Sequence, residues 1–100
     1  MEKYKIVFSK KAYFDLLQCF LFIRNVSLDA ANKMYEEVIS SIELLSTFPN
    51  AYPIIDKLTI LGSNVRKMPI QKGRYIIVYK VRKEDIVIYD ILDSRKDKII

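Results

Sequence analysis

The stretch KGRYIIVYKVRKEDIVIYDI, residues 72–91, decides how this chain folds. It holds two nearly unbroken apolar runs, 75–81 and 86–92 (the second ending one residue beyond the quoted stretch), separated by Arg82, Lys83, Glu84 and Asp85. Each run is rich in Ile, Val and Tyr, too short for a core helix and right for a strand covered on both faces. Upstream, VRKMPI at 65–70 makes a third short run, and QKGR at 71–74 supplies the hairpin turn between the two, as RKED does at 82–85. Three antiparallel strands in a meander are therefore predicted. The middle one is central, because it is apolar on both faces apart from Lys80. Lys72, Arg74, Lys80, Arg82 and Lys83 crowd the ends of these runs. They are either solvated turn cations or a surface for an anionic partner.

Working back to the start, KYKIVFS at 3–9 alternates, with Tyr4, Ile6 and Phe8 on one side, and reads as a short strand. Ser9 stands at the N-cap of a helix in which Tyr13, Leu16, Leu17, Phe20 and Ile23 make the buried stripe. Phe14 and Leu21 add a second apolar stripe, so this helix is deeply buried or covered by a partner. Ser27 caps a second helix running to Phe48, with Asp29 placed to suit the helix dipole. Its inner stripe is Ala31, Met34, Tyr35, Val38, Ile42 and Leu45; Glu36, Glu37 and Glu43 lie outside and read as solvated. Only Asn25, Val26 and Ser27 join the helices, which implies an antiparallel hairpin. Pro49 ends the second helix, and residues 49–64 read as a loop with one helical turn near 54–58. The order is strand, helix, helix and three strands. This is an α+β fold: a helical hairpin over a four-stranded sheet, mostly antiparallel, whose other face is open or partner-covered.

The totals narrow the function. One hundred residues make one domain, residues 1–100, and 51% hydrophobic content is enough for a core. No apolar run is long enough to span a bilayer, and no apolar segment follows the charged start, so a cytoplasmic protein is expected. There is no histidine and one cysteine, Cys19, read as a small buried hydrophobe; imidazole-based triads, zinc sites and an internal disulfide are excluded. No metal or cofactor is expected. The net charge of +5 arises wholly in residues 61–100, where ten Lys/Arg face five Asp/Glu; residues 1–60 hold seven of each. Such asymmetry favours an anionic partner.

Taken in order, AYFDLLQCFLFI (12–23), DAANKMYEEVISSIELLSTFP (29–49), VRKMPIQKGRYIIVYKV (65–81) and VIYDILDSRKD (87–97) resemble the RelE/ParE superfamily of bacterial type II toxins over essentially the full length. The resemblance implies a growth-inhibiting toxin of the plasmid-stabilisation type, silenced by a cognate antitoxin. Its target would be DNA gyrase for a ParE-like member, or mRNA on the ribosome for a RelE-like endonuclease. An inactive member serving antitoxin binding or autorepression is a third reading. Either a homodimer or a toxin–antitoxin hetero-oligomer is compatible with the family.

Carried over residue by residue, the RelE-like pattern is incomplete here. Arg66 and Arg95 match catalytic cations, but Met68 stands at a second cationic position and Ile76 follows Tyr75 where the family often has arginine. The C-terminal catalytic tyrosine has no counterpart, and Asp93 and Ser94 replace the His-containing ending of another branch. Losing one transition-state cation can cost about a hundredfold in rate, so the ParE-like, gyrase-directed reading is favoured, and metal-independent RNA cleavage through Arg66 and Arg95 is the alternative. Lys67, Lys72, Arg74 and Arg82 are the candidate nucleic-acid contacts; Phe14, Leu21, Ile76 and Val78 are the candidate antitoxin contacts. Arg66 has a purely structural alternative, pairing with Asp90 or Asp93 across the sheet. Tyr75 and Tyr79 read as core residues rather than base-stacking platforms.

Overall fold

The computed structural model describes residues 3–55, 62 and 64–96. Strand β1 (Lys5–Phe8) is followed by helices α1 (Lys10–Arg24) and α2 (Leu28–Thr47), then β2 (Val65–Ile70), β3 (Tyr75–Val81) and β4 (Asp85–Asp93). The sheet order is β1-β4-β3-β2. The last three strands form the expected antiparallel meander, and β1 joins β4 in parallel, Ile6 opposite Ile86 and Phe8 opposite Ile88. The parallel pairing follows from the connection: two helices carry the chain across one face before it re-enters the sheet.

Both helix starts are capped as their serines predict. Ser9 Oγ accepts from the Ala12 N–H at 2.9 Å, and Ser27 Oγ accepts from the Ala30 N–H at 3.1 Å. Ser9 Oγ also donates to the Tyr89 carbonyl at 2.9 Å, and Asp15 accepts the Ile91 N–H at 3.1 Å. Strand β1 stops pairing at Ile88, so the side chains of Ser9, the N-cap of α1, and Asp15 satisfy β4 backbone groups where no neighbouring strand reaches them.

The main core lies between the helices and one sheet face, where Ala12, Leu16, Met34, Val38, Ile42 and Leu45 meet Met68, Ile77, Tyr79, Ile86 and Ile88. The inner stripe of α1 is rotated from the sequence reading. Its centre is Ala12 and Leu16, with Cys19 and Ile23 partly buried, while Tyr13 is 66% and Leu17 41% exposed. Small Ala12 allows the close approach to the sheet, so the larger residues beside it turn outward. In α2, Tyr35 likewise lies 46% exposed rather than buried.

The opposite sheet face is less open than expected. Val65, Ile76 and Val78 are buried there in a second cluster, packed by Ile55 and Leu92. Ile55 reaches this position because the chain runs extended beside β2: Ile54 pairs with Arg66 in an isolated antiparallel bridge, and the Ile55 N–H donates to the Val65 carbonyl at 2.6 Å. The helical turn expected near 54–58 is absent at its first two residues; the remainder lies outside the described residues. No helix among the described residues is long and apolar enough to cross a membrane.

Candidate functional site

Between α1 and α2 runs an apolar groove of about 510 Å³, lined by Phe8, Leu16, Phe20 and Ile39 at its floor and by Tyr13, Leu17 and Tyr35 at its rim. Phe20 meets Tyr35 edge to face at 6.3 Å, which joins the two helices across the groove. Phe14, exposed, and Leu21, half-buried, continue the apolar surface around α1. Exposed apolar groups this closely spaced are uncommon on a chain that works alone and mark an interaction surface. Of the four expected antitoxin contacts, Phe14 and Leu21 belong to this surface. Ile76 and Val78 are not accessible beside them, because their own chain buries them on the far side of the sheet.

The two candidate catalytic arginines stand at different levels of the sheet. Arg66 faces Tyr79 across β2 and β3, whereas Arg95 lies two residues beyond Asp93, which faces Tyr75. Four residues of β3 separate these levels, about 13 Å at the usual strand rise. Nor does Arg66 pair with Asp90 or Asp93. Its guanidinium donates to the Tyr52 carbonyl, while Asp90 takes Lys11 at 2.7 Å and Asp93 takes Arg74 at 3.2 Å. Met68, in the expected second cationic position, is a core residue between the sheet and α2.

The candidate nucleic-acid contacts divide as well. At the β3–β4 turn, Arg82 is tied to Asp85 by two hydrogen bonds, 2.6 and 2.7 Å, which holds the half-buried Asp85 carboxyl below its ordinary range. Lys67 pairs with Val78 on the far face. Lys72 and Arg74 lie instead at the β2–β3 turn, beside the end of β4. There the Ser94 N–H and Oγ both reach the Arg74 carbonyl at 2.9 Å. Asp93 binds Arg74 Nε and also accepts the Arg95 N–H at 2.9 Å. Burial opposes ionisation of Asp93, yet the Arg95 N–H and the Arg74 guanidinium outweigh it, and its carboxyl is held low.

With this geometry, the sequence matches the family model of the ParE toxin of type II toxin-antitoxin system, parDE, over residues 6–98. The chain belongs to the ParE toxin family. A chain of a solved structure described as "Chromosomal ParDE TA system from P. aeruginosa" superposes on this ParE-family protein with a TM-score of 0.72, covering 91% of this chain and 96% of that one at 15% identity. At that identity the likeness is one of fold. No curated protein sequence gives a significant match.

For this ParE-family toxin, three site features escaped the sequence reading. Asp93, weighed as a partner for Arg66 and as a departure from a His-containing ending, binds the Arg74 guanidinium and the Arg95 N–H at the end of β4. Glu37, read as solvated, accepts the Gln71 N–H at 2.8 Å. Lys96 places its ammonium 4.4 Å from the Phe22 ring centre. Apart from the Asp93–Arg95 turn bond, these are long-range contacts, and no local pattern encodes them. The apolar rim did carry a signal, because α1 has more large apolar residues than one buried stripe holds. Among the described residues no His/Cys/Asp/Glu cluster suited to a metal is present.

Proposed function

We propose that this ParE-family toxin inhibits growth by poisoning DNA gyrase, and that its antitoxin silences it by laying an apolar helix along the α1–α2 groove. The observation that carries the gyrase reading is the separation of Arg66 and Arg95. RNA cleavage requires a base, an acid and charge stabilisation gathered around one phosphate. Here the two arginines stand at different levels of the sheet, and Arg66 is engaged by the Tyr52 carbonyl. A toxin that acts by binding a protein target needs no such constellation. The groove supports the second half of the reading: Tyr13, Leu17 and Tyr35 form a rim suited to apolar residues at helical spacing. Phe14 and Leu21 extend the contact around α1, and a bacterial cytoplasmic setting follows from a gyrase target.

The test is induction in a bacterial host of wild type, Arg66→Ala and Arg95→Ala, with growth, ribosome-associated mRNA cuts and the DNA-damage response read from the same cultures. A DNA-damage response without codon-phased cuts, retained in Arg66→Ala, is the expected result. Cuts that vanish in both variants would establish the nuclease instead. Normal growth with soluble expression would leave an antitoxin-binding module without toxicity.

A further inference from the structure

We infer that the sheet end formed by the β2–β3 turn and the residues after β4 is a docking platform for the sugar-phosphate backbone of duplex DNA. It gathers Lys72, Arg74, Arg95 and Lys96, two of which were not among the candidate nucleic-acid contacts read from sequence. The inference deepens the gyrase reading and takes its biological sense from it, because a toxin seated on gyrase meets the DNA that gyrase holds.

The platform is built rather than incidental. The Arg74 carbonyl accepts two bonds from Ser94, and Asp93 clamps the Arg74 guanidinium to the Arg95 backbone. The Lys96 N–H then closes the turn on the Asp93 carbonyl at 2.9 Å. Lys72, Arg74, Arg95 and Lys96 thereby lie on adjacent turns, Arg74 paired with Asp93 and the nearby Glu37 carboxylate accepting the Gln71 N–H. Among the described residues, Lys72, Arg95 and Lys96 have no carboxylate partner. Cations gathered at one end of the sheet without carboxylate partners attract a polyanion across them.

The aromatic residues at this end favour duplex over single strand. Unpaired bases are bound by stacking on exposed rings. Tyr75 is buried with the Arg74 guanidinium 5.2 Å from its ring centre, and Phe22, though exposed, has the Lys96 ammonium over its ring. What this surface presents is positive charge on a firm backbone, the requirement for phosphate contacts without base readout.

The experiment compares wild type with Lys72→Glu/Arg95→Glu/Lys96→Glu and with a control of equal charge change, Lys10→Glu/Lys33→Glu/Lys83→Glu, all six positions being exposed. Circular dichroism verifies folding, and fluorescence anisotropy measures binding to a DNA duplex, an RNA duplex and single-stranded DNA across salt concentration. Wild type is expected to bind duplex DNA with a salt slope of about −3, and the platform variant to bind about 30-fold more weakly at low salt with most of that slope gone. The control should stay within about threefold. Equal loss in both variants, stronger binding to single strand or RNA, or no salt-dependent binding by wild type overturns the inference. Gyrase supercoiling assays on the same proteins separate the two readings. Inhibition without DNA binding removes the platform alone, and DNA binding without inhibition removes the gyrase target alone.

Discussion

The Gln71 backbone N–H meets the Glu37 carboxylate at 2.8 Å, so the tip of the β2–β3 hairpin is held by α2. The turn needs holding. Gln71, Lys72 and Gly73 all have left-handed backbones, with φ of 51°, 58° and 89°, and only the glycine adopts that region without steric cost. Glu37→Ala should lower stability by about 1 kcal/mol. Hydrogen exchange should quicken at Gln71 more than elsewhere in the meander. Unchanged exchange there would show that the contact is not maintained in solution.

Asp93 makes the acid limb of stability readable. Its folded carboxyl is held below the ordinary range, so its contribution is fully present above the unfolded value of about 4 and is lost as pH falls through the lower folded value. Urea titrations at several pH values should therefore show stability falling on acidification below about pH 4. Asp93→Asn should be less stable at neutral pH and show a shallower acid limb. An identical limb in both proteins would assign the acid loss to other carboxylates, Asp85 first among them.

Tyr79 governs the alkaline side. Burial pushes its phenol up to about 12 despite the opposing charge of Arg66, and the hydroxyl donates to the Pro49 carbonyl at 3.3 Å. A folded value above the unfolded one near 10 means full stabilisation below pH 10 and loss as pH rises from about 10 toward 12. Tyr79→Phe should cost about 1 kcal/mol at neutral pH and remove part of the alkaline loss. In wild type, the last tyrosine to ionise by ultraviolet absorbance should be the one this substitution deletes. Tyr75, also raised mainly by burial, and Lys11, raised first by its hydrogen bond to Asp90, account for part of what remains.

The groove gives a contrast between adjacent residues. Leu17 is at the rim, so Leu17→Glu should change stability by no more than about 0.5 kcal/mol, abolish capture of the cognate antitoxin and reduce self-association of the isolated toxin. Leu16 is buried against the sheet, so Leu16→Ala should cost about 2–4 kcal/mol. Calorimetric titration with antitoxin, paired with thermal melts, checks both. Antitoxin binding undiminished by Leu17→Glu would move the antitoxin site away from the groove.

The strands and helices were legible in sequence because each is announced locally. The runs at 65–70 and 75–81 are strands with those bounds, and the third is observed as Asp85–Asp93. Ser9 and Ser27 cap their helices, and the apolar content of β3 marks it as central. Periodicity was less reliable on α1. Tyr13 and Leu17 share the apolar spacing of Leu16, and the depth of each depends on how closely Ala12 lets the helix approach the sheet. The site was least legible. Arg66 and Arg95 are compatible with one cluster in linear order, and only the register of β2, β3 and β4 sets them at different levels.

What the amino-acid sequence determined by itself was the element order, the central strand, the caps, the membership in a toxin superfamily and the placing of surplus positive charge in the last forty residues. These are properties of neighbouring residues, set by backbone preference and by the periods of helix and strand. Tertiary structure decided which cations stand together, which carboxylates neutralise them, and which apolar residues remain on the surface. Those outcomes depend on strand register and helix rotation, where a shift of one residue moves a side chain to another face.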